Sequence, residues 1–470
     1  MFKKIYQWHH RIGLLVSIPV LGWCISGLTH PMMAHLFKIK PAQRFVVPQP
    51  VALDTTSIAL GEALEQHGIT SFSNFRLVHF EKETYYQIIR EGKETEYINV
   101  KNNTLLNNGD QRYAEYLARY FLGDEQHPIA SLTKLNQFTF EYKFINRLLP
   151  VYKVSFDRSD GMDVYVETNS SRLGTMNNRT RKICIAIFSY LHNWNFLQGM
   201  PKLKLFLMLL FMIMAFGVAF SGLVIYGFLW KRVFPTHAVE AKNRKWHRRI
   251  GLMVAISTLG FAFSGGYHAL AKANTAQVIS EKAPVFSSTE VKQLPALVRK
   301  IGDRLVKNIS IVSIDQVNYF QVDWMEKATE TSYFKTTTLE HLGKGEERYA
   351  IYLANQYTQL PAKKIVSVTP IQAFGGEYGF INKRLPVTKI QYDTKQQHSV
   401  YVETSSGKLA ATISASKRLE AFSFLMLHKY HFIDPIGKTV RDIIIVIIMI
   451  GIILVNVLGI VLWLNRPIVR

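Results

Sequence analysis

Trp8-His9-His10-Arg11-Ile12-Gly13-Leu14 and Trp246-His247-Arg248-Arg249-Ile250-Gly251-Leu252 decide how this 470-residue chain is read. Each opens a long apolar run, and the match continues inward. Leu21-Gly22 pairs with Leu259-Gly260, Ser26-Gly27 with Ser264-Gly265, and His30 with His268, all at an offset of 238. Outside these runs the chain repeats at an offset of 236. Arg112-Tyr113-Ala114 answers Arg348-Tyr349-Ala350, Phe144-Ile145-Asn146 answers Phe380-Ile381-Asn382, and Tyr165-Val166-Glu167-Thr168 answers Tyr401-Val402-Glu403-Thr404. A repeat of this length sets the architecture: each half reads span, outer domain, span. Both halves enter the membrane in one orientation, so an internal duplication with a pseudo-two-fold axis along the membrane normal is expected.

Four stretches, residues 12–37, 205–230, 250–271 and 443–465, contain no Asp, Glu, Lys or Arg. A hydrocarbon core of about 30 Å needs roughly 20 apolar residues in a helix, so each is long enough to cross. The first is too long for a signal-peptide core and lacks a small-residue cleavage site, which makes it an uncleaved anchor. The expected organisation is span 1 over 1–36, outer domain 1 over 37–203 and span 2 over 204–232. A cytoplasmic loop over 233–248 leads to span 3 over 249–272, outer domain 2 over 273–441, and span 4 with a cytoplasmic tail over 442–470. The fold class is a membrane-embedded bundle of four helices carrying two α+β outer domains.

The charge agrees with this division. Lys+Arg number 56 against 34 Asp+Glu, a formal net charge of +22. Lys3, Lys4 and Arg11 precede the first span. Lys231, Arg232, Lys242, Arg244, Lys245, Arg248 and Arg249 crowd the 2–3 loop, and Arg466 and Arg470 follow the last span. The positive-inside rule puts these segments, and both termini, in the cytoplasm, and the two long loops outside it. Nucleic-acid binding is excluded as a role because the basic loops are too short to build a reader domain. Two cysteines, Cys24 and Cys184, exclude a disulfide framework and any Cys-ligated zinc or iron–sulfur centre.

Each outer domain reads as α+β. Helical segments at 57–66 and 290–300 precede alternating strands at 85–89 and 97–100 in the first copy, and at 319–322 and 333–335 in the second. Further helices are expected at 113–121 and 349–356, and hairpins around 165–168 and 401–404.

Fifteen histidines are present, and the repeat sorts them. Three pairs occupy equivalent positions, His9/His247, His30/His268 and His192/His428, all near span ends. His67, His79, His127, His237, His341 and His398 have no counterpart. Ionisable groups in a bundle are costly and are kept for function; the competing reading is an interfacial belt beside Trp8 and Trp246. His9 and His30 are 21 residues apart, about 31 Å along a helix, which is the full hydrocarbon thickness. Span 3 repeats this with His247 and His268, so imidazoles are expected at two levels, with His192 and His428 joining the outer one. Four outer imidazoles leave open whether one haem or two sit there, and which pair ligates. Two imidazoles close the coordination of haem iron, and with no Cys-x-x-Cys-His the haem is of b type. The six histidines are the candidate axial ligands, with two haems b expected. Gly22/Ser26, Gly260/Ser264 and Gly217/Ser221, each four apart, serve either close helix packing or room for a flat macrocycle.

Trp-His-x-Arg-Ile-Gly-Leu, the Ser-Gly in the same span, the Leu-His before the next span, and Leu-Pro-Val followed by Tyr-Val-Glu-Thr together resemble the PepSY-associated transmembrane proteins. The resemblance covers nearly the whole chain. It implies a bacterial inner-membrane protein tied to iron uptake, with periplasmic PepSY-like domains, in a family that includes di-haem ferric-siderophore reductases. His9, His247, His192 and His428 match the recurrent histidines of that family.

The expected function is therefore a membrane b-type cytochrome that reduces a ferric siderophore or other ferric chelate at the outer face. No Rossmann fingerprint occurs, so the donor is a quinol or a separate reductase. The alternative is a non-enzymatic, membrane-anchored PepSY binding or regulatory protein; no hydrolytic triad or His-Glu-x-x-His motif makes the chain a peptidase itself. A transporter ranks third, because the spans contain no interior charge and no paired broken helices.

Overall fold

The computed structural model describes residues 2–47, 49–50, 59–229, 238–273, 283–326 and 330–465. Lys231, Arg232, His237, Arg466 and Arg470, and residues 57 and 58 of the expected helix at 57–66, lie outside the described residues.

In chain order the first half runs α1 (Phe2–His35), α2 (Leu60–Gln66), β1 (Asn74–Phe80), β2 (Glu83–Ile89), β3 (Glu96–Asn99), α3 (Gly109–Leu122), β4 (Ile129–Leu135), β5 (Val151–Phe156), β6 (Asp163–Glu167), β7 (Arg172–Asn177), α4 (Arg179–Ile187) and α5 (Pro201–Leu229). The second half follows as α6 (Ala238–Ala273), α7 (Leu294–Ile301), β8 (Val306–Ile314), β9 (Val317–Trp324), β10 (Thr331–Lys335), α8 (Gly345–Thr358), β11 (Ile365–Ile371), β12 (Val387–Tyr392), β13 (Ser399–Glu403), β14 (Lys408–Ile413), α9 (Ala415–Ser423) and α10 (Lys438–Leu464). The element order is the same twice. So are the details: β-bulges fall at Ile129/Ser131 and Ile365/Ser367, and again at Tyr165/Val166 and Tyr401/Val402.

The chain folds as two units. One gathers Met1–Lys38, Arg179–Ala276 and Ser416–Arg470; the other gathers Ile39–Asn178 and Gln277–Ala415. Four helices of the first unit, over Lys4–His35, Pro201–Gly227, Lys242–Ala273 and Lys438–Leu464, are long and apolar enough to cross a membrane. They pack as a ring in which α1 and α6 each touch both α5 and α10, so α1 faces α6 across the diagonal. Small residues permit the close contacts. Gly27 lies under Met449, and a Cβ on Gly451 would come 2.7 Å from Val254.

The second unit holds four antiparallel sheets, two from each half: β1-β2-β3 and β4-β5-β6-β7, then β10-β9-β8 and β11-β12-β13-β14. The two three-stranded sheets share one core, with Phe75, Ile88 and Ile98 packed in the same cluster as Ile311, Phe320 and Val322. Asn74 and Asn308 cross-link them by accepting from the Ile311 and Leu77 amides at 3.3 and 3.0 Å. The helix α3 is amphipathic by spacing: Tyr113, Ala114, Leu117, Ala118 and Phe121 cover the four-stranded sheet at Val154, Val164 and Val166. It stops at Gly123, whose φ of 71° is the left-handed cap that glycine adopts without strain. The second copy repeats the packing with Ala350, Leu353 and Ala354 over Ile390, Val400 and Val402.

The expected helix at 290–300 is divided. A 3-10 turn, Ser288–Val291, closed by a Ser287/Glu290 capping box, precedes α7. Pro295 lies in the first turn of α7, where its missing N–H costs nothing but ends any helix arriving from upstream.

Candidate functional site

His9 on α1 and His247 on α6 meet across the bundle diagonal, their ring centroids 6.4 Å apart and their planes at 78°. Nearly the same geometry recurs at the other end of these helices. His192 and His428 lie 6.3 Å apart at 87°. They are carried on π-helical turns, Phe188–His192 and Phe424–His428, which continue α4 and α9 and pack against α1 and α6. A π turn widens the helix by one residue and re-aims the side chain at its end. Gly22 and Gly260 let the Leu191 and Leu427 carbonyls of these turns approach, 3.8 and 3.4 Å from where a Cβ would stand.

The hydrogen bonds identify which ring nitrogen carries the proton. Nδ1 of His9 lies 3.2 Å from the Val218 carbonyl and 3.0 Å from Ser221 Oγ; Nδ1 of His247 lies 3.1 Å from the Val455 carbonyl. A carbonyl only accepts, so both Nδ1 atoms carry the proton. At the His192/His428 pair, serine hydroxyls stand beside the rings, which also bond the Trp23 and Phe261 carbonyls. Ser26 Oγ donates its one hydrogen to the Gly22 carbonyl at 2.7 Å, and Ser264 Oγ donates to Gly260 at 2.7 Å. Toward His192 and His428, each 3.2 Å away, these oxygens can only accept. All four imidazoles are thus Nδ1–H tautomers with the Nε2 lone pair left for a ligand. An Nδ1–H donated to a fixed acceptor is the orientation device that metal-ligating histidines use.

The spacing fits a metal held between two rings. Two metal–nitrogen bonds of about 2.0 Å, with roughly 1 Å from nitrogen to ring centre on each side, place the centroids about 6 Å apart. Each site offers two imidazoles, and no cluster of three or more His, Cys, Asp or Glu occurs among the described residues. That count suits a metal whose other positions a macrocycle fills, and is too few for a closed zinc site. Glycine shapes the inner pair as well: a Cβ on Gly222 would stand 3.3 Å from His9 Cε1, and one on Gly459 3.4 Å from His247 Cε1. At the outer pair Phe188 stacks on His192 at 4.4 Å and Phe424 on His428 at 4.7 Å.

His30 and His268 are placed differently. Nδ1 of His268 is hydrogen-bonded to Glu420, and its ring stacks on Phe424 at 4.5 Å. His30 is exposed. Of the six candidates, the structure brings together His9 with His247 and His192 with His428, always one residue from each half.

The sequence reading named Ser221 only as one of a pair of small residues, and overlooked its place beside His9 together with the Val218 and Val455 carbonyls, Gly222 and Gly459. The two glycines recur at an offset of 237, a signal that was present but lies inside featureless apolar runs. Of the small-residue pairs singled out above, Gly22/Ser26 and Gly260/Ser264 serve the outer histidines, whereas Gly217 has open space beside it.

A search of curated proteins finds no match. A family model described as the PepSY-associated TM region matches residues 7–466, nearly the full length, and the chain belongs to the PepSY-associated transmembrane family.

Proposed function

We propose that this membrane protein is a b-type cytochrome that passes electrons from a quinol or a separate reductase on the cytoplasmic side to a ferric chelate, such as a ferric siderophore, on the periplasmic side. One observation carries the reading: four imidazoles, all with Nδ1–H anchored, face each other in two pairs of nearly equal spacing. In this reading His9 and His247 hold one haem b and His192 and His428 a second. When bound, haem would supply an iron that changes its charge by one electron. The protein's part is to fix those ligands, set their basicity through the Nδ1 acceptors, and exclude water with the apolar faces of α1, α5, α6 and α10. Seventeen residues separate His9 from Ser26, about 25 Å along α1, so the two sites lie toward opposite faces of a bilayer.

The remaining architecture follows the same proposal. The chain is an internal duplication about a pseudo-two-fold axis along the membrane normal, in the bacterial inner membrane. Both termini and the 2–3 loop are cytoplasmic, as the Lys/Arg asymmetry supports. The visible spectrum of the purified protein tests the function. A Soret band that sharpens and shifts on dithionite, with a pyridine haemochrome count of two per chain, is expected; a colourless protein from haem-replete cells overturns the reading.

A further inference from the structure

The end of the bundle that carries His192 and His428 holds two further donors, one from each half. His30 lies four residues beyond Ser26, the serine beside His192, so it stands on the same face of α1 one turn, about 6 Å, farther from His9. Its counterpart His268 is taken by Glu420, but the first half has Cys184 at the Glu420 position. Among the described residues the His30 ring makes no hydrogen bond. Lys429 directly follows His428. Its amide closes the π turn on the Phe424 carbonyl at 3.1 Å, and its Nζ lies 5.9 Å over the Phe424 ring, which stacks on His428. The first half has Asn193 there, so this cation has no repeat partner. Its charge bears on His30, His192 and His428 alike. Among the described residues it makes no ion pair. The acid whose charge reaches it, Asp442, is already held by His35 at 2.7 Å and Arg441 at 3.1 Å, and Asp434 is held by His431 and Arg441. A half-buried cation with no counter-charge is costly unless an anion joins it.

We infer that Lys429 and His30 form a carboxylate cradle for a propionate of the haem held by His192 and His428. The inference rests on the proposed haem reading and adds to it a contact beyond the axial ligands. Propionates are the charged end of an otherwise apolar group, and away from bulk water they need donors or cations. Lys429 supplies the charge and His30 a ring N–H. The cradle is one-sided, because beside His268 the carboxylate of Glu420 would repel another. The unmatched residues Lys429 and Glu420 thus favour one orientation of the group across a site whose axial ligands are symmetric.

The purified full-length protein is mixed with excess apomyoglobin, which captures released haem, and haem loss is followed optically. Two phases are expected, one for each site. Lys429→Met, which keeps the length of the stem, and His30→Ala should each speed one phase by about tenfold or more, as the loss of a charge-assisted contact implies. Lys429→Arg should leave it slow, and the phase that does not move reports an intact bundle. Protein stripped in this way is then reloaded with the dimethyl ester of haem, whose propionates are neutral. Wild type should lose the ester fast, and Lys429→Met should add nothing. Equal haem loss from wild type and Lys429→Met overturns the inference. So does an equal acceleration with the ester, which would make the lysine structural. One haem absent from the outset in His30→Ala makes that residue an axial ligand and overturns the cradle. Anionic lipid retained by wild type and missing from Lys429→Met in mass spectra, at unchanged haem loss, gives Lys429 to a lipid phosphate instead. A protein without haem overturns the proposed function together with the cradle, whereas two haems with unaltered loss overturn the cradle alone.

Discussion

The two halves of the chain agree where the histidines are held and differ in what surrounds them. His9 and His247, His192 and His428, Ser26 and Ser264, Gly222 and Gly459 all correspond. By contrast Arg384 stands where the first half has Leu148, Glu420 where it has Cys184, and Leu458 where it has Ser221. Each imidazole pair draws one residue from each half, so neither half builds a site alone. The lesson is that the matched residues make the sites and the unmatched ones make the sites unequal.

The largest expected effect tests the cross-half pairing. Under the proposed function, His9→Ala and His247→Ala remove the same haem, because each leaves one imidazole where two are needed. His192→Ala removes the other. The haemochrome count should fall from two to one in every single variant, and His9→Ala/His247→Ala should lose no more than either alone. A double variant that falls to zero would mean that ligands pair within a half, contrary to the geometry.

The next effect concerns the asymmetry of the unit that holds the sheets. Glu167 and Glu403 are both fully buried. Arg384 reaches Glu403 at 2.7 Å and Glu167 at 3.4 Å, Lys408 reaches Glu167 at 3.3 Å, and Arg172 pairs with Glu403. Burial alone would raise these carboxyls, but the surrounding cations, Lys408 and Arg384 at Glu167 and Arg172 and Arg384 at Glu403, hold both down at about 2. Converting Arg384→Leu, the residue of the first half, leaves buried charge uncompensated and should cost about 3–5 kcal/mol. The pH dependence follows from the sign. A carboxyl depressed in the folded state stabilises fully above its unfolded value of about 4.5 and loses that contribution as pH falls toward about 2. Thermal unfolding of the full-length protein should therefore show its melting temperature falling between these limits in the wild type and less steeply in Arg384→Leu. Parallel curves would assign the acid sensitivity elsewhere.

A smaller difference separates the helix contacts. Gly451 on α10 would place a Cβ 2.7 Å from Val254, whereas Gly13 on α1 leaves 3.9 Å to Val218. Gly451→Ala should overpack the α6–α10 seam and cost about 1–3 kcal/mol, while Gly13→Ala stays near neutral. Denaturation midpoints in a fixed detergent compare the two, and equal midpoints would show that the seam relaxes.

Much of this was legible in the sequence, for physical reasons. Charge-free runs have few solutions other than membrane spans, and the repeat made the histidine pairs visible against a background of unmatched ones. His30 and His268 were not separable from His192 and His428, because helical spacing gives height and direction but not the turn that brings another segment alongside. The π turns before His192 and His428 have no composition of their own, and Leu191 and Leu427 read as any apolar residue. Glu167 and Glu403 were seen as a repeat, yet their ion pairs cross between the halves, Arg172 with Glu403, Lys408 with Glu167 and Arg384 with both, which no local spacing reveals.

The smallest effect lies within the inner pair. His9 Nδ1 is shared between the Val218 carbonyl and Ser221 Oγ, at 3.2 and 3.0 Å, while His247 Nδ1 meets the Val455 carbonyl at 3.1 Å, with Leu458 at the position of Ser221. Ser221 Oγ also donates to the Val218 carbonyl at 3.0 Å, so its oxygen accepts from the imidazole. Ser221→Ala then removes one of two acceptors and leaves the proton on Nδ1, since the carbonyl still holds it. Under the proposed function the ring keeps its tautomer and haem content stays at two. What changes is basicity: an imidazole that shares its N–H less strongly donates less to iron, which favours the reduced state. An optical redox titration should show one component shifted to higher potential and the other unmoved. Leu458→Ser, which gives His247 the missing hydroxyl, should shift the same component the opposite way. Movement of the other component in either variant would place Ser221 at the wrong site.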